Sequence, residues 1–214
     1  MLRSLKELYG DKLGASDGEI GRIIDVYFDD QNWAIRYLVA DTGTWLSGRK
    51  VLIAPRSLAS LAASGQVVRV DLTRKQIENS PSIDMHKPLS RQYEEEYHKH
   101  YDWPGYWDAA TKSADPQSPL EGHLRSAHAV NGYLVHVGAE TVGHVNDYMV
   151  DGESWTIGQL VVKTGHRLSG KDILIPTQQV QRISYDDSTV FAHATLEDAA
   201  KVPVTKSVPV GTVL

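Results

Sequence analysis

The chain has 214 residues, no cysteine, 22 Lys+Arg against 27 Asp+Glu, and a formal net charge of −5. Without a thiol, disulfides and cysteine-based metal or redox chemistry are excluded, and the acidic balance lacks the basic face by which a nucleic-acid binder is recognised. No run approaches the roughly 18 apolar residues of a membrane helix, and MLRSLKELYGDKLGAS shows no apolar signal core, so a cytoplasmic protein is expected.

In chain order, Leu5–Gly10 leads into a short segment ending at Ala15, and Ser16-Asp17-Gly18 is a turn signal. Ile20–Phe28 reads as a strand, with Ile23, Ile24, Val26 and Phe28 apolar, and Asp29-Asp30-Gln31-Asn32 as a polar turn. Trp33–Ala40 alternates, placing Trp33, Ile35, Tyr37 and Val39 on one face, so the two runs form a hairpin. Thr42-Gly43 breaks the second strand; Val51–Ile53 is a third, stopped by Pro55, and Val67–Val70 a fourth. Thr73 and Gln76 have the spacing of a capping box, in which two side chains satisfy free amides at a helix start, and Pro81 ends that short helix. Short strands with frequent turns point to a small barrel or sandwich, and Gly10, Gly18, Gly21, Gly43 and Gly48 favour bent strands in a closed barrel.

Residues 82–123 are a connector. Tyr93, Tyr97 and Tyr101 stand at i, i+4 and i+8, which stacks three rings on one helix face. Trp103, Tyr106 and Trp107 surround Pro104-Gly105, and the polar stretch TKSADPQSPLE follows. These six aromatics are the candidate interface: they pack into the groove between the barrels and bind them together, or form a surface for a partner protein or a second copy of the chain.

Residues 124–203 then repeat the first copy at a constant offset of 122, running from Gly10/Gly132 to Pro81/Pro203. Between Gly21 and Ile53 fourteen of thirty-three positions are identical, among them Gly21/Gly143, Asp25/Asp147, Trp33/Trp155 and Ser47-Gly48/Ser169-Gly170. A period this long marks duplicated domains, since solenoid repeats run at roughly 20–50 residues. The second copy supplies strands at Tyr133–Val137, Val142–Val150, Trp155–Lys163, Ile173–Ile175 and Val190–Ala192, then Thr195–Asp198 at helix-start spacing. Residues 204–214 form an extended tail. The expected organisation is therefore a barrel over 1–81, a connector over 82–123, a barrel over 124–203 and the tail.

The residues carrying a family resemblance are G-x-x-x-D (Gly21 to Asp25), W-x-I-x-x-L-V (Trp33 to Val39) and G-R-x-V-L-I (Gly48 to Ile53). They resemble the PRC-barrel family, the small β-barrel found in the cytoplasmic part of the photosynthetic reaction centre and at the C-terminus of the ribosome-maturation factor RimM. The resemblance covers both copies. It implies an all-β fold of two small antiparallel β-barrels with a minor helical connector, and work beside a membrane or ribosomal complex. It does not by itself fix a function.

Gly165 to Lys171 matches the G-x4-G-K of a phosphate loop, but Asp172 stands where the magnesium-holding Ser/Thr belongs and a strand follows instead of a helix. A turn without nucleotide binding is expected. His98 and His100 would point to different helix faces, unlike an i, i+4 zinc pair, while His136 and His144 sit on adjacent strands and can meet. No metal site, cofactor or catalytic residue is assigned. Asp25/Asp147 and Ser47/Ser169 recur in both copies, as residues do that each fold needs for turn hydrogen bonds. The chain reads as a non-catalytic scaffold or adaptor for another protein, with homodimerisation through the aromatics as a variant. The alternative is a small-ligand or metal-responsive sensor using the cleft between barrels.

Overall fold

The computed structural model describes residues 2–58, 67–83, 89, 91–107, 123–165 and 172–193. It divides into two compact units, Met1–Ala129 with Val150–Thr156 and Val130–Met149 with Ile157–Leu214. No helix among the described residues is long and apolar enough to cross a membrane.

The first unit contains β1 (Leu2–Ser4), β2 (Lys12–Ala15), β3 (Gly18–Asp29), β4 (Ile35–Asp41), β5 (Lys50–Ile53) and β6 (Val68–Arg69). Helices α1 (Arg74–Glu78) and α2 (Arg91–His100) follow, then β7 (Leu124–Ser126). The sheet order is β5-β4-β3-β2-β6, with β7 added to β3. The capping box at α1 forms as its spacing predicts: the Gln76 amide N–H donates to Thr73 Oγ1 at 3.3 Å and the Thr73 amide to Gln76 Oε1 at 2.9 Å.

A four-residue helix, α3 (Ala127–Val130), leads to the second unit, with β8 (Leu134–Val137), β9 (Glu140–Asp151), β10 (Thr156–Thr164), β11 (Asp172–Pro176), β12 (Val180–Ser184) and β13 (Thr189–Ala192). Its ladder runs β11-β10-β9-β8-β13-β12. The expected β architecture holds, with two corrections. The pairs β2–β6 and β8–β13 are parallel, so the sheets are mixed and not wholly antiparallel. Nor is the barrel closed: β11 and β12 end the ladder on opposite sides and are joined in sequence by a single 3-10 turn, Thr177–Gln179. The buried Thr177 hydroxyl serves the carbonyls of Ile157 (3.1 Å) and Gly158 (3.2 Å), bonds within reach of a side chain at the turn.

Offset by 122, β1 corresponds to β7, β2 to β8 and β3 to β9, end for end. The turns repeat too: the Gly10 N–H donates to Ile23 O and the Gly132 N–H to Val145 O, both at 2.8 Å. A Cβ on Gly21 would lie 1.9 Å from Asp41 O, and one on Gly143 would lie 2.2 Å from Lys163 O. Glycine is required at both places because a neighbouring backbone occupies the side-chain position. Of the other first-copy glycines, Gly10, Gly43 and Gly48 lie in turns with positive φ instead of bending strands.

Trp33 and Trp155 depart from their expected place. Both have positive φ, 59° and 54°, and lie in the hairpin turns ahead of β4 and β10. Trp33 stacks on Phe28, with centroids 5.3 Å apart and an interplanar angle of 11°. The positive φ shared by both tryptophans breaks the extended backbone on which strand alternation depends. The tip of the second hairpin belongs to the first unit, where Ile35 N–H donates to Trp155 O at 2.8 Å.

Candidate functional site

Strand β4 is buried on both faces, with Tyr37, Leu38, Val39 and Ala40 all inaccessible. Period-2 alternation sends Tyr37 and Val39 to one face and Leu38 and Ala40 to the other. The Tyr37 face, completed by Tyr27, Leu52 and Ala54, forms a core cluster with Tyr97. Helix α2 therefore covers the outside of β3-β4-β5, and Tyr97 is its central anchor at 0% exposure. The Tyr97 hydroxyl donates to Leu52 O at 3.0 Å and accepts from Ala54 N–H at 3.3 Å, so both of its polar capacities are used at β5.

The structure gathers all six aromatics of the connector in the first unit. Tyr93 packs at the cluster edge and donates to Pro81 O at 2.8 Å. Tyr101 meets Tyr97 edge-on at 5.0 Å and stacks on Trp103 at 4.7 Å and 20°. Tyr106 donates to Glu94 Oε1 at 2.7 Å, and Trp107 lies 4.8 Å from the His98 ring. Except for Tyr97 the rings are half-buried. Burial drives the hydroxyls of Tyr93, Tyr97, Tyr101 and Tyr106 above their ordinary titration range, since an ionised phenolate is disfavoured away from water.

Residues that the ring spacing did not single out complete the site. Glu94 (3% exposed) and His98 (6%) occupy successive turns of α2 and face the sheet. Tyr37 Oη lies 3.0 Å from Glu94 Oε1 and 3.1 Å from His98 Nε2, and His98 Nδ1 lies 3.0 Å from Pro104 O. Arg91 Nη1 is 3.4 Å from Glu94 Oε2. Burial pushes the Glu94 carboxyl up, against the hydrogen bond from Tyr106, the Arg91 charge, the bond from Tyr37 and the Arg36 charge. Guanidinium groups cover the rings: Arg36 over Tyr106 at 3.9 Å, Arg91 over Trp107 at 4.4 Å and Arg56 over Trp103 at 4.8 Å. The i, i+4 pair Glu94/His98 on the tyrosine face was the available signal, because charged groups inside an aromatic stripe need buried partners.

Asp25 has a larger part than turn bonding. It is 3% exposed and accepts from Val26 N–H (2.7 Å), Ser126 Oγ (2.6 Å) and His128 N–H (3.0 Å), fastening β7 and the start of α3 to β3. Burial raises its pKa despite those bonds. Asp147 keeps the local part of the pattern, accepting from Tyr148 N–H at 2.8 Å. Arg125 adds an ion pair to Asp30 at 2.6 Å.

In the second copy His136 and His144 do lie on adjacent, paired strands, β8 and β9. His144 pairs with Leu134 and His136 with Thr141, two register positions apart, and the His136 ring bonds Thr141 at 3.0 Å. On α2, His98 is buried and His100 exposed, on different faces. Among the described residues no group of three potential metal ligands converges. Of the phosphate-loop-like stretch, 166–171 lie outside the described residues, as do Thr195–Asp198, Pro203 and the tail. Asp172 opens strand β11, so a strand follows Lys171.

Comparison with curated proteins gives no match to this sequence. Residues 3–77 match the family model of the PRC-barrel domain, the span that holds β1 to β6 and most of α1. The first repeat, over those residues, is a PRC-barrel domain.

Proposed function

We propose that the chain is a non-catalytic adaptor that holds a protein partner on the rim of the α2 aromatic layer. PRC-barrel domains are often found in protein-interaction roles. The observation that carries the reading is the rim itself: half-buried Tyr101, Trp103, Tyr106 and Trp107, overlaid by Arg56 and Arg91. Tryptophan, tyrosine and arginine dominate the energetic centres of protein interfaces, where large rigid rings give contact area at low entropic cost. Tyr97 lies beneath them as the structural anchor and is not itself available.

The test is a photo-crosslinking residue at Trp103, with the same residue at Tyr185 in the second unit as control. A discrete adduct at 103 and not at 185 is expected. An adduct of twice the chain mass identifies the partner as a second copy. No adduct at 103, or the same adducts at both positions, overturns the proposal.

A further inference from the structure

The buried polar groups under α2 carry a proton count. His98 Nδ1 faces a carbonyl, Pro104 O, which only accepts, so that nitrogen carries hydrogen. Tyr37 has one proton and two close partners, Glu94 Oε1 at 3.0 Å and His98 Nε2 at 3.1 Å. When Tyr37 donates to an ionised Glu94, its oxygen faces Nε2, and that contact is a bond only if Nε2 also carries hydrogen. When Tyr37 donates to a neutral His98, its contact with Glu94 is a bond only if the carboxyl is protonated. Both arrangements contain one proton more than neutral His98 with ionised Glu94.

We propose that Glu94, Tyr37 and His98 form a one-proton clasp that fastens α2 to the first sheet and loosens when that proton is lost. Charged and titratable groups among the described residues face the clasp from three elements. Helix α2 contributes Arg91 and Tyr97; the segment after it contributes Tyr106; β4 contributes Arg36, itself paired with Asp29 at 3.0 Å. Arg91 and Arg36 favour the carboxylate and with it a proton on His98, whose ring lies 4.8 Å from Trp107, while burial, the larger effect at Glu94, favours the protonated carboxyl. Burial opposes an ionised Glu94 and so also favours retaining the proton.

The direction with pH follows from linkage. An unfolded histidine titrates near about 6.5 and an unfolded glutamate near about 4.3. Between those values the unfolded pair also holds one proton, so the clasp is fully stabilising there. Above about 6.5 the folded clasp binds one proton more than the unfolded chain, and its stabilisation is lost as pH rises through the folded value. Loss of the clasp would uncover Tyr27, Tyr37, Val39 and Leu52, the face that α2 covers.

The experiment is a proton NMR titration of the His98 ring in the full chain, assigned by comparison with His98→Gln. The expected midpoint is above about 7.5, at least one unit over the ordinary value, and Glu94→Gln lowers it by about one unit or more. A wild-type midpoint at or below about 6.5, or an unchanged midpoint in a folded Glu94→Gln chain, overturns the clasp. Thermal melting supplies a check that does not need His98→Gln to fold. The wild-type midpoint should fall between about pH 6 and about pH 9 more steeply than that of Glu94→Gln, and parallel profiles refute the proposal.

Discussion

Replacing Tyr97 tests whether the aromatic layer stabilises the first unit. The side chain is wholly buried, touches Tyr37 edge-on at 5.3 Å and uses its hydroxyl at Leu52 and Ala54. Truncating a buried aromatic to alanine costs about 3–5 kcal/mol through lost transfer energy and the cavity left behind. That is a large share of the roughly 5–15 kcal/mol that holds a typical domain together, and for a chain of this size it corresponds to roughly 6–20 °C in melting temperature. Tyr97→Phe isolates the hydroxyl: the ring stays, but Leu52 O and Ala54 N–H lose their partner, for about 1–3 kcal/mol. Trp107→Ala, at a half-buried position, should cost less than Tyr97→Ala, and the double variant should melt lowest or shift any oligomer toward monomer. The assay is thermal unfolding followed by circular dichroism, with light scattering for mass. If Tyr97→Ala melts within about 2 °C of wild type, a loss below about 1 kcal/mol, then α2 does not dock on β4 and β5 as described.

Gly21→Ala and Gly143→Ala should each destabilise their own unit by about 1–3 kcal/mol or more, because the new Cβ meets backbone oxygen and not a movable side chain; denaturant unfolding of both variants measures it. Asp25→Ala should cost about 1–3 kcal/mol by stranding the Ser126 and His128 donors, with faster hydrogen exchange at β7 as the local readout. Because burial raises the Asp25 pKa, its protonated form is favoured on folding. Wild type should therefore lose stability as pH rises from about 3.9 through the folded value, and Asp25→Asn should flatten that part of the profile. Calorimetry with ATP and magnesium should show no binding, since β11 and not a helix follows Lys171; micromolar binding lost in Lys171→Ala would contradict this.

Much of the fold was legible because its determinants are local. The 122-residue repeat, the strand runs, the Thr73/Gln76 capping box and the tyrosine stripe depend on residues a few positions apart. The Leu-Arg-Ser of β1 and β7 is also identical at that offset, yet three residues are too few to announce strands. Only the folded chain shows β7 of the second copy lying on β3 of the first, tied to Asp25.

What an apolar stripe packs against is a property of residues far away in the chain, and periodicity is silent about them. Tyr97 meets Tyr37, Leu52 and Ala54 across separations of 43–60 residues. At the corresponding positions the second copy has Gln159, Leu174 and Pro176. The duplication therefore established two similar sheets, while the partner of α2 was decided by three-dimensional complementarity: a tyrosine hydroxyl, a buried carboxylate and an imidazole each reach a hydrogen-bond partner on that sheet face or at the end of the helix. Desolvating such groups without partners would cost several kcal/mol; helix spacing marks Glu94 and His98 as needing partners, and only the folded chain shows Tyr37 beneath them.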